Sequence, residues 1–369
     1  MSRFDPRKVA VVLAAPALAL VVALALSSLV LAAVGNPVVA TFTLMAEYGT
    51  RPRIAVLIIN QATTFYLAGV AVAIGFRMNL FNIGVDGQYR LAAFCAAAVG
   101  GAVTLPAPLH VIVIIAVAVV VGALWAGIAA LLKVTRGVSE VISTIMLNAI
   151  ATSLTAYLLR ELGTQSGNNI GTAQIAPSGR IPGIPLIPGA PDPVYGFVLV
   201  AALVGVAYAV LLNRTRFGFD LRATGRSESA AVASGVNVKR MVLYSMLLSG
   251  AVAGLVGMPL LLGASYTYSL TFPAGLGFTG IAIALLGRNH PVGIAVGALL
   301  FAYLQSSSQV LAINDVSPEI VTIMQGIIVL AVVIAYELVR RYTLAGEARR
   351  VARALEIRDE PTPAQGARA

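Results

Sequence analysis

The sequence predicts an all-α polytopic membrane protein of about ten transmembrane helices, folded as an inverted repeat of five and five. Three observations predict it. Ten apolar runs cross the 369-residue chain. Hydrophobic residues make up 59% and charged residues 11%, against roughly 45–50% and about 25% in a soluble domain, so lipid has to cover much of the apolar surface. Two Gly-rich segments, 81–88 and 275–280, interrupt the runs at matching places in the two halves.

The runs cover residues 9–34, 54–76, 91–105, 110–132, 141–160, 194–213, 241–262, 275–287, 291–311 and 319–339. A helix needs roughly 20 apolar residues to cross the hydrocarbon core. The first run follows Arg3, Arg7 and Lys8 and is longer than the apolar region of a signal peptide, about 7–15 residues. It is read as a retained first helix. The third and eighth runs are too short for simple crossings. They borrow residues from the Gly-rich segments before them or enter as broken helices. Membranes tolerate such backbone only where it is buried in protein or lines a watery cavity. Short runs at corresponding positions of two halves point to a solute path.

Charges sort by loop. Lys and Arg gather in the N-terminus, in 77–90, 133–140 and 214–240, at Arg288, and in the tail from Arg340. Segments 106–109 and 263–274 hold none, and 312–318 holds Asp315. Ten alternating spans place the basic set on the cytoplasmic side with both termini; Arg51 and Arg53 are the exception. This placement explains the net charge of +10 without a basic stripe for nucleic acid. Residues 1–340 are read as the transmembrane domain and 341–369 as a basic cytoplasmic tail, helical at first. The external segment 161–193 is rich in Gly, Pro, Asn and Ser, which suits extended and turn structure.

Ionisable groups inside a membrane are costly and mark function. This chain has almost none deep in a run. Asp86 and Glu140 lie near expected cytoplasmic ends, and Glu337 sits near Arg340 and Arg341. Neutral polar groups are more frequent: Asn60, Gln61, Thr63 and Thr64 in the second run, and Gln305 to Gln309 in the ninth. In the fifth run Thr144, Asn148 and Thr152 recur every four residues, on one helix face. Such groups either line a hydrophilic path or hydrogen-bond between helices. The Gly-rich segments, with Phe81, Asn82, Gly84, Asp86, Gln88, Phe278 and Thr279, are placed near the path. Gly250 and Gly254, like Gly293 and Gly297, have the spacing of close helix packing.

The sequence holds no phosphate-binding P-loop, no nucleophile–base arrangement and no metal-ligand cluster. Its single Cys95 and its two histidines, His110 and His290, lie far apart. An enzyme is not expected, and neither is a cofactor bound by this chain. In the cytoplasmic segment 214–240, Ser227 is placed to cap a short helix that ends before Gly235. A helix lying on that face could transmit motion from a soluble partner.

Five stretches taken together carry a resemblance: FNIGVDGQ (81–88), SEVISTIMLN (139–148), ATGRSESAAVASGVNV (223–238), SGAVAGLVG (249–257) and GFTGIAIALLGRNHPVG (277–293). They resemble ABC importer permeases of the branched-chain amino acid/ribose permease superfamily, closest to its nucleoside or simple-sugar branch. The similarity runs over most of 54–340. It implies a pore of two permease chains, often paralogues, and two cytoplasmic ATPase subunits that bind ATP and magnesium. It further implies an extracellular solute-binding protein or lipoprotein and residence in the bacterial cell membrane. By this resemblance Gly225, Arg226, Glu228, Ser229, Ala230, Ala231 and Gly235 belong to the coupling helix that meets the ATPase. Ala230 and Ala231 match its paired alanines; Glu228 lies near the acidic position of the wider signature. Nucleosides are the expected solute, with sugar or amino-acid import on the same scaffold as the alternative. An ion-coupled carrier would favour a buried carboxylate, and a membrane scaffold would not need interrupted helices.

Overall fold

The computed structural model describes residues 6–166, 169–314 and 316–359. It is almost wholly helical: α1 Pro6–Ala33, α2 Val38–Gly49, α3 Pro52–Phe76, α4 Val85–Ala102, α5 Leu109–Arg136, α6 Glu140–Leu162, α7 Phe197–Arg214, α8 Arg216–Arg226, α9 Glu228–Ala233, α10 Val238–Gly254, α11 Met258–Leu260, α12 Leu276–Leu286, α13 Pro291–Ile313 and α14 Glu319–Asp359. Seven helical segments among the described residues are long and apolar enough to cross a membrane on their own: α3, α5, α6, α7, the stretch Val238–Ser265, α13 and Glu319–Val339. The chain is therefore an all-α, multi-pass membrane protein.

Local chemistry sets the ends. Pro52 and Pro291 occupy the first turns of α3 and α13, where a missing N–H costs nothing. Thr215, Ser227 and Asn237 accept backbone N–H groups at the starts of α8, α9 and α10, satisfying donors that have no partner inside the helix. Helix α5 ends on Gly137 in the left-handed conformation, with Lys133 and Arg136 in its last turn, where cations complement the helix dipole.

The compact unit 39–322 carries the interrupted helices. The described residues 6–38 and 323–359 form a second unit. Within 39–322, α5 packs along α10 and α13 along α3, while α4 touches α10 and α12 lies on α3. Exchanging α3 with α10, α4 with α12 and α5 with α13 maps these four contacts onto one another.

The α5–α10 seam is centred on small residues. Ala118, Gly122 and Ala126 face Gly250 and Gly254, and a methyl added at Gly122 would meet the Gly250 carbonyl and come within 2.9 Å of the Gly254 backbone. The expected close-packing role of Gly250 and Gly254 is the one observed.

As expected of a run too short to cross alone, the third borrows Val85–Gln88, which winds into α4 and supplies its first turn. Other boundaries differ from expectation. Residues 38–49, read as a connection, form α2. The seventh run is not one helix. It breaks at 255–257 and continues as a short turn and a π-helical turn to Ser265. The segment 161–193 is mostly irregular, with a small hairpin, Thr164–Ser166 against Asn169–Gly171, and a 3-10 turn at Pro177–Gly179. The tail stays helical to Asp359; its last residues, 360–369, lie outside the described residues.

Candidate functional site

The two Gly-rich segments meet. Gly84 caps α4 and Gly275 caps α12, and the first turns of these helices touch end to end. The Gly277 N–H points at Asp86 Oδ1, 3.4 Å away. Two helix N-termini carry two partial positive charges, and the buried Asp86 carboxylate lies where they converge. Only glycine permits this approach, since a side chain at position 277 would strike the Asp86 backbone.

Around this junction the polar groups bind one another. Asn82 donates to Gln88 Oε1 and to Ser249 Oγ, and accepts from Gln88 Nε2 and the Gly84 N–H. Ser249 in turn donates to the Ala71 carbonyl at 2.6 Å. Asn148 accepts from the Gly87 N–H at 2.8 Å and donates to the Ile83 carbonyl at 2.8 Å. Thr144 is buried, its hydroxyl donating to the carbonyl of Glu140. The Thr144–Asn148–Thr152 face is thus turned onto the start of α4. These groups fasten the junction rather than face a space.

A cavity of about 230 Å³ lies beside it, towards the start of α3. Asn60, Gln61 and Thr64 line it from α3, and Ser306 and Gln309 from α13. Phe65, Tyr195 and Phe272 supply three aromatic walls, with Leu57, Val256, Leu260, Pro273 and Leu276 completing it. No charged side chain is among these residues. Asn60 also anchors the rim: its Oδ1 accepts from the Tyr195 N–H at 2.7 Å, and its Nδ2 reaches the Pro193 carbonyl at 3.5 Å. The Ser306 hydroxyl reaches Gln61 Oε1 at 3.5 Å.

Of the residues placed on the path by sequence, Asn60, Gln61 and Thr64 line this cavity. Asn82, Gly84, Asp86, Gln88, Thr144 and Asn148 build the junction. Phe81 and Phe278 are exposed on the surface of the chain, and Thr279 folds back towards the Gly275 carbonyl. The aromatic walls escaped the sequence reading because Phe65, Tyr195 and Phe272 come from separate segments and share no spacing. A further charge was placed wrongly: Arg90 belongs to the second turn of α4 and not to a loop, and its Nη1 donates to Thr152 Oγ1 at 3.2 Å.

At the other end of the unit lies the 214–240 segment. Helix α9 has the caps its sequence promised. The Ala230 N–H donates to Ser227 Oγ at 3.3 Å. At the C-terminus, Val236 N–H bonds the Ala231 carbonyl and Gly235 N–H the Val232 carbonyl, with Gly235 at φ 82°, the paired bonds of a Schellman ending. Glu228 is on the first turn, Ser229 shares a hydroxyl contact with Ser227 at 3.1 Å, and Ala231 is buried. Gly225 and Arg226 end α8, where Gly225 rests on the backbone of Arg77 and Met78. Arg77 in turn donates two hydrogen bonds to the Asn289 carbonyl, at 2.8 and 3.2 Å. Lys133 pairs with Glu140 at 2.6 Å, and Glu140 accepts from the Phe81 N–H at 3.4 Å. The turn before α4 is therefore held by α6, by the α12–α13 turn and by α8.

Residues 54–333 match the family model described as branched-chain amino acid transport system / permease component. The chain belongs to this family. Its members are membrane-embedded permease subunits, not the catalytic ones. The chain is 37% identical over 281 residues to the guanosine ABC transporter permease protein NupP of Bacillus subtilis, covering 75% of this chain and 80% of that protein. It is 34% identical over 353 residues to the glucose ABC transporter permease protein TsgB13 of Haloferax volcanii, covering 92% of each. The nucleoside ABC transporter permease protein NupB of Lactococcus lactis is 28% identical over 279 residues, covering 73% of this permease and 76% of that protein.

Proposed function

We propose that this permease carries nucleosides inward across the bacterial cell membrane as the pore-forming subunit of an ATP-driven importer. The observation that carries the solute class is the lining of the cavity. A nucleoside joins a flat heterocycle, which stacks on aromatic rings whatever its base, to a hydroxylated sugar that needs hydrogen-bond partners. Three aromatic walls and five amide or hydroxyl side chains, with no fixed charge, match both halves of such a molecule. The guanosine and nucleoside permeases among its relatives support the same class.

In this reading both termini are cytoplasmic, the cavity opens to the outside, and an extracellular binding protein or lipoprotein delivers the solute there. A second permease chain, a paralogue, completes the pore. Two ATPase subunits bind α8 and α9 and hydrolyse ATP with magnesium. Their closure moves α8, which rests on Arg77 and Met78; the turn 77–84 passes this on to the α4–α12 junction beneath the cavity. Separation of the two helix ends opens the cavity to the other side. The tail beyond 340 lies in the cytoplasm.

Simple-sugar import is the second reading, favoured by the glucose permease relative that covers 92% of the chain. Uptake of labelled guanosine and uridine in cells with and without this chain, with excess glucose and ribose as competitors, separates the two. Loss of nucleoside uptake on deletion, insensitive to sugar, is the expected result. Sugar-sensitive uptake, or nucleoside uptake that persists in cells stripped of other nucleoside carriers, overturns the nucleoside reading. Transport by the chain alone in liposomes, without an ATPase, overturns the importer reading.

A further inference from the structure

We propose that Arg77 is a positioning residue that links α8 to the far end of α12, so that displacement of α8 acts on both half-helices of the junction. The proposal rests on the reading of α8 and α9 as the elements that meet the ATPase. Arg77 caps the C-terminus of α3 and is half-buried. Among the described residues no carboxylate pairs with it. Its guanidinium spends two donors on one acceptor, the Asn289 carbonyl, with Nη2 at 2.8 Å and Nε at 3.2 Å. The buried Tyr208 of α7 donates its hydroxyl to the same oxygen at 2.9 Å. A peptide carbonyl offers two lone pairs, so this oxygen is fully engaged, by side chains from two other helices.

The carbonyl belongs to a strained corner between α12 and α13. Arg288 and Asn289 are both left-handed, with φ 52° and 54°. Consecutive non-glycine residues in that region are uncommon and persist only where their surroundings fix them. Here the backbone fixes them. The Asn289 N–H bonds the Ala284 carbonyl at 2.9 Å, and the His290 N–H bonds the Gly287 carbonyl at 3.0 Å. Gly287 and Gly293 lie backbone to backbone, where a methyl on either would strike the other. His290 Nδ1 accepts from the Val292 N–H at the start of α13. The end of α12 is thus locked to its corner, and a pull on the Asn289 carbonyl moves the whole 11-residue helix. Its other end is the Gly277–Asp86 contact. On the opposite side of Arg77 stands α8. A methyl at Gly225 would come 2.9 Å from Met78 Cα and would strike the Arg77 carbonyl. Tyr208 belongs to α7, which is joined to α8 through Thr215 alone. Displacement of α8 therefore reaches α4 through the turn 77–84, and α12 through Arg77 and Tyr208. The two half-helices are driven from different ends, α4 from its start and α12 from its C-terminus.

The test compares Arg77→Met, Arg77→Lys, Tyr208→Phe, Asn289→Gly and Ala230→Arg in the full chain, reconstituted with its partner subunits. The readouts are KM and maximal rate for labelled guanosine, with labelled glucose in parallel, ATP hydrolysed per solute carried, and recovery of the ATPase with the permease. Arg77→Met is expected to lower maximal rate about tenfold, the scale of one charge-assisted hydrogen bond, with KM unchanged. Hydrolysis continues, so ATP spent per solute rises by the same factor. A merely structural role would reduce the amount of assembled complex and leave that ratio alone. Arg77→Lys keeps the charge and one donor, and recovers part of the rate. Tyr208→Phe loses less than Arg77→Met, because the guanidinium still holds the oxygen. Asn289→Gly keeps the carbonyl and suits left-handed backbone, so its ratio stays near the parent's. If Arg77→Met does not assemble, a raised ratio in Arg77→Lys or Tyr208→Phe supports the proposal, and a parental ratio in both overturns it. A parental ratio in Arg77→Met overturns it directly. Ala230 is exposed on α9, and Ala230→Arg is expected to lose both the ATPase and uptake. If it does, while Arg77→Met keeps the parental ratio, the link alone fails. If Ala230→Arg keeps both, the reading of α8 and α9 fails and the proposal with it.

Discussion

Replacing Gly277 by Ala tests the meeting of the two half-helices. The added methyl would lie 2.5 Å from the Asp86 nitrogen, 3.0 Å from its Cα and 3.1 Å from its Cβ. None of these atoms is the far end of a flexible side chain, so no rotamer change relieves the clash. Ordinary contact begins at 3.4 Å, so the start of α12 has to retreat by about 0.9 Å. The 3.4 Å approach of Gly277 N–H to Asp86 then stretches beyond hydrogen-bonding range. Overpacking of this kind costs about 1–3 kcal/mol, and loss of a hydrogen bond to a charged group a further 1.5–3 kcal/mol or so. At roughly 2–4 °C per kcal/mol for a large domain, the melting temperature falls by about 5–24 °C. Scanning fluorimetry of the detergent-purified chain measures it. Gly137→Ala is the control: that glycine has φ 69° and open space around it, so its cost is confined to the left-handed backbone, about 1–2 kcal/mol. A Gly277→Ala melting temperature within 2 °C or so of the parent would refute the end-to-end contact.

Two further outcomes are expected. Gly225→Ala would push α8 off the backbone of Arg77 and Met78, where Met78 Cα stands 2.9 Å from the added methyl; solute uptake should fall at least about tenfold, the effect of some 1.4 kcal/mol on the coupling equilibrium, and the melting temperature should fall as well, through overpacking of about 1–3 kcal/mol. Asn60→Ala leaves the Tyr195 N–H without its acceptor, at a cost of about 1–3 kcal/mol; thermal melting should detect it, and an unchanged profile would show that the rim does not depend on Asn60.

Much of the architecture was legible because its signals are local. Apolar run length marks a helix wherever lipid is the solvent, and caps such as Ser227 and Gly235 work through bonds two to five residues away. The four-residue recurrence of Thr144, Asn148 and Thr152 correctly put them on one face; what that face meets depends on α4, which periodicity cannot see. Asn82 and Gln88 look like path-lining amides, yet they satisfy each other, because they stand six residues apart across a helix start whose backbone bends them together. The break after Gly254 was marked in the sequence by Gly257 and Pro259, but apolar run length alone is indifferent to how the helix is wound. Arg90 misled for a related reason. Charge counting treats a cation as loop marker, whereas the winding of 85–90 into α4 carries it inside. The cavity walls were the least legible, being assembled from side chains 65, 195 and 272 that only tertiary packing brings together.

The glycine seam between α5 and α10 bears on how such a chain can move. Its surfaces touch through backbone atoms and the Ala126 methyl, with Ala118, Gly122 and Ala126 on one side and Gly250 and Gly254 on the other. Sliding α5 by one residue would set Val119 or Val121 where there is no room for a larger side chain. The seam therefore has one register only, and works as a rib: α5 and α10 travel together as a single rod. Whatever rearrangement opens the bundle has to be taken up elsewhere, at the broken helices, where backbone can swing without dragging a packed interface behind it.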